Sequence, residues 1–232
     1  FIKKELIMRK GFTLAEVLIT IGIIGVVAAL TLPALVGHYR KVEAASRIKK
    51  FYSAMQQAIL MSEAVNGDSK EWVKAETQRD SEGNTDYDAQ GKVSKDFFMQ
   101  YLAPYFKYTN IVSGKNTVEE DGTKSGTLTK VYLADGSYFS FNNGSCMDVI
   151  FDINGDRKPN THGIDEFVFF FCLSPEERKF HCRNNKQAFC TPSYEARTRD
   201  ELKNKCKTQP YWCSSLLEHD SWEFKKDYPY KL

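Results

Sequence analysis

The chain alternates between two hydrophobic patterns that join without a break. From Phe12 to Val36 the residues are almost all apolar, with Thr13, Glu16, Thr20 and Thr31 the polar exceptions. About 20 apolar residues cross a bilayer as a helix, so this run is long enough to span one. Past Val36 the apolar positions thin to Val42, Ala45, Ile48, Phe51/Tyr52, Met55, Ala58/Ile59 and Ala64/Val65. Steps of three and four residues mark one face of an amphipathic helix. Arg40, Lys41, Glu43, Arg47, Lys49 and Lys50 fill the positions between them. Asn66-Gly67-Asp68 stops the pattern. The spacing therefore predicts one helix over 12–66, roughly 80 Å long at about 1.5 Å per residue. Its first half (12–36) has no polar face and requires lipid or copies of itself. Its second half (37–66) requires a folded head.

Residues 66–94 are polar and read as an irregular connection. Ser94–Ala103 reads as a short helix capped by Ser94, with Pro104 after it. Thr127–Leu133 and Tyr138–Phe141 flank Asp135-Gly136, which predicts a β-hairpin. Asp148–Ile153 and Glu166–Leu173 read as two more strands. The expected architecture is α+β: a long N-terminal helix packed on a small antiparallel sheet over 67–173, with a Cys-rich C-terminal extension over 174–232.

Composition adds little to this and charge adds one exclusion. Lys and Arg number 32 against 30 Asp and Glu, a net charge of +2. That balance argues against a nucleic-acid binder working through bulk basicity. The chain holds 42% hydrophobic residues, a folding composition. No Gly-x-Ser-x-Gly, phosphate-cradling glycine loop or His-Glu-x-x-His occurs, and the sequence is expected to be non-catalytic.

Glu16 is the anomaly. A carboxylate inside a membrane helix costs about 2.5–3.5 kcal/mol on insertion scales. A nearby cation would offset this, and an ammonium created at Phe12 would lie four residues away, one helical turn. The same carboxylate could instead meet the Phe12 ammonium of a neighbouring chain and set register between subunits.

The stretch Arg9-Lys10-Gly11-Phe12-Thr13-Leu14-Ala15-Glu16-Val17-Leu18 resembles the class III signal of type IV pilins and type II secretion pseudopilins. The resemblance implies a leader over 1–11, cleavage after Gly11 by a prepilin peptidase, and N-methylation of Phe12. Met8 is the candidate start, giving the leader Met8-Arg9-Lys10-Gly11. Removing residues 1–11 changes the net charge from +2 to −1. A secretory signal peptide fits less well, because the apolar run is too long and continues into a helical pattern. The resemblance gives Glu16 a role in assembly and matches Pro33 to a helix-kinking proline, where a kink or local melting is expected. Gly25 and Ala29 form a small-xxx-small pair that lets helices approach. It further implies an extracytoplasmic head held at the cytoplasmic membrane by one span. Implied partners are other pilin or pseudopilin subunits, an assembly platform and the bilayer. The alternative is an anchored binding or adhesin domain that does not polymerise.

Two chemical features remain. Asp152, Asn154 and Asp156 alternate, followed by Asn160 and Asp165, a pattern that could converge on Ca²⁺. The segment is similar to the Asp-x-Asn-Gly…Pro-Asn…Gly-x-Asp stretch of pseudopilins, whose major subunits carry a structural calcium near there. Gly155 precedes Asp156 and no terminal Glu stands in place, so the loop departs from the EF-hand pattern; the competing reading is a turn rich in residues with backbone preferences. Second, Cys146, Cys172, Cys182, Cys190, Cys206 and Cys213 all lie outside the apolar segment. Their even number points to disulfides, with pairings 182–190, 206–213 and 146–172 among the possibilities. No Cys-x-x-Cys supports a metal site.

Overall fold

The computed structural model describes residues 11, 13–74, 76–118, 124–141, 146–182, 187–193 and 198–232. The chain divides after Arg40 into two compact units. Helix α1, Leu14–Asn66, begins in the first and ends in the second. It stays helical through Pro33, so the expected local melting does not occur there. A proline deletes one backbone bond, and the turns on either side retain theirs.

In the second unit α1 buries Ala44, Ala45, Ile48, Phe51, Tyr52, Met55, Ala58, Ile59 and Ser62. The expected face is therefore right at its centre and wrong at its ends: Val42 and Val65 are exposed. The buried face meets a six-stranded antiparallel sheet of order β1-β4-β5-β6-β7-β8. The strands are β1 Tyr108–Val112, β4 Thr129–Leu133, β5 Tyr138–Phe141, β6 Cys146–Asp152, β7 Glu166–Cys172 and β8 Phe189–Cys190. A separate two-stranded sheet pairs β2 Lys115–Val118 with β3 Lys124–Thr127.

Aromatic rings form the contact between helix and sheet. Phe51 stacks on Phe151 at 4.2 Å and lies 5.3 Å from Phe139. Burying such a ring is worth about 1.5–3 kcal/mol in area alone, with about 0.5–1.5 kcal/mol more from ring geometry. The β4–β5 reversal falls on Asp135-Gly136, where Gly136 adopts φ +82°. Gly has no Cβ to oppose that conformation. Lys50 pairs with Asp135 at 3.1 Å, and Arg47 donates to the carbonyls of Asp135 and Ile153, each at 3.1 Å.

Strand β7 is buried from Phe167 to Cys172 on both faces. Its second face is covered by the C-terminal region, which contributes α3 Pro175–His181, α4 Arg199–Thr208 and α5 Cys213–His219. Ser214 donates to the Val168 carbonyl, and Tyr211 sits edge-on to Phe170 at 5.5 Å. Glu218 ties this region to α1 by accepting from Tyr52 at 2.9 Å and from Thr191 at 2.5 Å. Residues on both sides of position 173 thus share one core.

Helix α2, Tyr87–Tyr101, starts seven residues before the Ser94 cap read from the sequence. Asp86 is the cap, accepting from Asp88 and Ala89 N–H groups, and Ser94 is buried mid-helix. The helix tolerates Gly91 because a Cβ there would lie 2.5 Å from Gly114 N. The connection before α2 also contains a short 3₁₀ turn, Ser69–Glu71.

Candidate functional site

The cleavage site lies at the edge of the described residues: Gly11 is exposed, while the leader 1–10 and Phe12 fall outside them. Immediately beyond, the helix start is a reciprocal cap. The Thr13 N–H and hydroxyl both donate to Glu16 Oε2 at 2.8 Å, and Glu16 N–H donates to Thr13 Oγ1 at 3.3 Å. This is the Ser/Thr-x-x-Glu capping box, which satisfies two orphan donors of the first turn. The sequence carries this signal as Thr13-Leu14-Ala15-Glu16, beside the ammonium pairing expected of Glu16. Glu16 Oε1 takes no bond from the described residues.

From Leu14 to Val36 no large side chain is buried. Leu14 is 80% exposed, Leu18 63% and Leu30 76%. The two threonines of this run conceal their hydroxyls, Thr20 donating to the Val17 carbonyl and Thr31 to that of Val27, both at 2.9 Å. Such internal bonds suit a helix in lipid, where an unsatisfied donor is costly. A Cβ added at Gly22 or Gly25 would touch nothing among the described residues, which leaves that surface open to another helix. By length and composition, α1 is the one helix among the described residues able to cross a membrane.

The second predicted site, the β6–β7 loop, is organised around Asp165. Its carboxylate accepts from Asn154 Nδ2 at 2.9 Å, Asn160 N–H at 3.0 Å and Thr161 N–H at 2.7 Å. Asp152 is fully buried; Oδ1 accepts from Asn154 N–H at 2.9 Å, while Oδ2 and Asn154 Oδ1 lack a partner. Burial pushes the Asp152 carboxyl up to about 7, and the charges of Asp165 and Glu166 push the same way. Asp156 points elsewhere, bonded to Lys130 at 2.8 Å and Tyr132 at 2.9 Å, and the Lys130 bond holds its carboxyl below the usual range.

The five residues expected to converge on Ca²⁺ therefore do not form one donor set. Asp165 already accepts from three donors, Asn160 contributes its N–H, and Asp156 is paired with a cation. Two orphaned oxygens fall short of the six to eight that Ca²⁺ takes. No group of three or more His, Cys, Asp or Glu side chains suited to a metal occurs among the described residues. The loop instead uses its Asp and Asn residues to bind its own backbone.

All six cysteines pair. Cys146–Cys172 joins directly opposed residues of β6 and β7, Cys182–Cys190 links the end of α3 to β8, and Cys206–Cys213 links α4 to α5. Their Cα separations are 4.0, 5.7 and 4.6 Å. The C-terminal region, which has little periodicity, is thus crosslinked where it meets the sheet.

Comparison with known proteins agrees with the N-terminal geometry. A family model described as a prokaryotic N-terminal methylation motif matches residues 7–32. A second, described as a family of unknown function (DUF6613), matches residues 34–232. No curated protein and no solved structure matches the chain. The motif is the one characteristic of type IV pilins and pseudopilins, and it coincides with the exposed apolar half of α1. The chain belongs to this family of unknown function, and it carries a type IV pilin-like N-terminal segment.

Proposed function

We propose that the chain is a non-catalytic structural subunit of a type II secretion pseudopilus or a type IV pilus-like filament. A prepilin peptidase cuts after Gly11 and Phe12 becomes the methylated first residue. The head lies on the extracytoplasmic side of the cytoplasmic membrane, and a membrane assembly platform moves the apolar helix from lipid into a bundle of like helices. The observation that carries this reading is the surface of α1. One helix is bare and apolar over 14–36 and docked on a sheet from Ala44 onward. A bare apolar helix is stable in lipid or against its own kind.

The geometry of Glu16 refines the assembly step. Oε2 caps the helix through Thr13. Oε1 is left to accept from an ammonium, either the chain's own Phe12 or that of a neighbour. Cap and charge can be separated by substitution. Glu16→Gln keeps a side chain able to cap at this position and removes the charge. Glu16→Ala removes both. The expected outcome is that both variants are processed and reach the membrane, and that both fail to co-purify with filaments. Filaments containing Glu16→Gln at the wild-type level would refute the charge pairing. Processed wild-type protein that stays monomeric in the membrane would support an anchored, non-polymerising binding domain instead.

A further inference from the structure

Two of the three disulfides lie against each other. Cys172 Sγ is 3.9 Å from Cys182 Sγ, although each is bonded to a different partner. The fold produces this closeness. Cys172 ends β7, α3 follows after Ser174 and delivers Cys182 at its C-cap, and β8 pairs beside β7 with Cys190 opposite Phe170. Cys172, Cys182 and Cys190 are buried in one small cluster with Phe170, whereas Cys146 is partly exposed. A solvent-borne thiolate therefore meets Cys146 first. Thiol–disulfide exchange requires a thiolate within reach of a disulfide sulfur, and the outcome depends on which sulfur is accessible.

We propose that these four cysteines form a thiol–disulfide exchange site, entered at Cys146 by an external dithiol and relayed inward from Cys172 to Cys182. The dithiol's thiolate attacks Cys146 Sγ. A mixed disulfide forms, the Cys146–Cys172 bond breaks, and Cys172 leaves as a thiolate. That thiolate attacks Cys182 Sγ; a Cys172–Cys182 bond forms, the Cys182–Cys190 bond breaks, and Cys190 leaves and is protonated. The dithiol's second sulfur then displaces Cys146, closing a disulfide within the reagent. The dithiol is oxidised by two electrons, and its two protons end on Cys146 and Cys190. The protein retains one crosslink of the two, now between β7 and the end of α3.

The exchange has a structural consequence. It removes the covalent tie of β8, a strand of two residues at the edge of the sheet. Phe189 of that strand stacks on Phe169 at 5.3 Å, and with Ala188 it walls a groove of about 380 Å³ along α1 beside Gln56 and Leu60. One reduction event would thus free the sheet edge that closes this groove while α3 stays attached to β7.

The test uses the folded full-length chain with limiting dithiothreitol, an acid quench, alkylation and peptide mass mapping. The expected two-electron-reduced species carries Cys172 linked to Cys182, label on Cys146 and Cys190, and an intact Cys206–Cys213 bond. Label on Cys146 and Cys172 with Cys182–Cys190 intact would overturn the relay. So would label on Cys206 and Cys213 at this stage, because that pattern reports reduction through unfolding. In Cys146→Ser the Cys172 thiol is permanent, and the label is expected to shift from Cys172 to Cys190. Label retained on Cys172 would contradict the proposal. If that variant does not fold, the wild-type map decides alone.

Discussion

Residues 14–36 and 44–62 belong to one helix and make the same backbone bonds, yet their side chains meet opposite surroundings. Ile23 and Leu30 are 60% and 76% exposed, whereas Ile48 and Ala58 are fully buried. The difference lies in periodicity. The second stretch interleaves Arg47, Lys49, Lys50 and Gln57 with its apolar residues, so one face is wet and one face can dock. The first has nothing to place in water. Helix propensity alone does not separate the two; the partner each surface demands does. The proposed filament subunit needs both, a face that stays on its own head and a face that lipid or other chains can cover.

The largest expected break in this comparison is Phe51→Ala. It removes the ring stacked on Phe151 and leaves a cavity between helix and sheet, costing the head about 3–5 kcal/mol. Denaturant unfolding of the full chain in detergent measures it. Ile23→Ala, a comparable truncation in the bare half, should shift the same transition by less than about 0.5 kcal/mol. Equal effects would mean that the two halves are not energetically distinct.

The next effect is pH dependence confined to the head. The Asp152 carboxyl titrates near 7 when folded and, like any free Asp, at about 3.9 when unfolded. A raised folded value means that its contribution is complete below about pH 4 and is lost as pH rises through 7. Asp148 is also raised by burial and acts in the same direction. The head midpoint should therefore fall between pH 5 and 8 by an amount on the order of 1–3 kcal/mol, and Asp152→Asn should flatten most of that slope. A slope unchanged in the variant would remove Asp152 as its source.

Asp165→Ala comes third. It abandons three donors of the β6–β7 loop, about 1–3 kcal/mol, and tryptic cleavage after Arg157 should accelerate. Unchanged cleavage would show that the loop holds its shape without that carboxylate. The smallest effect is Thr13→Val, which removes one member of the capping box for about 1 kcal/mol. It should appear as faster amide exchange over the first turn of α1 in micelles, with the head midpoint unmoved. Movement of the head midpoint would show that the two halves are coupled.

Much of this was legible from the chain because its strongest signals are long. The apolar run, the amphipathic continuation, the Asp135-Gly136 hairpin and the aromatic strands β6 and β7 each carry a pattern that exceeds local noise. The elements that escaped are short or imposed from outside. Strand β8 has two residues and is a strand because β7 offers an edge. Strands β1 to β3 are four or five residues of mostly polar sequence. Gly91 reads as a breaker of α2, and its tolerance is explained only by Gly114 lying against it. The alternating acids of the β6–β7 loop looked like ligands because the sequence does not show which backbone donors already occupy them. Thr13 and Glu16 carry the Ser/Thr-x-x-Glu spacing of a cap, a signal that coincides with the stronger one of a lone charge in an apolar run.

The most direct measurement is the mass of the N-terminal peptide of protein isolated from native membranes. The account predicts a chain beginning at N-methyl-Phe12, which places the new ammonium one turn from Glu16. A peptide running unbroken across the Gly11–Phe12 bond would contradict it.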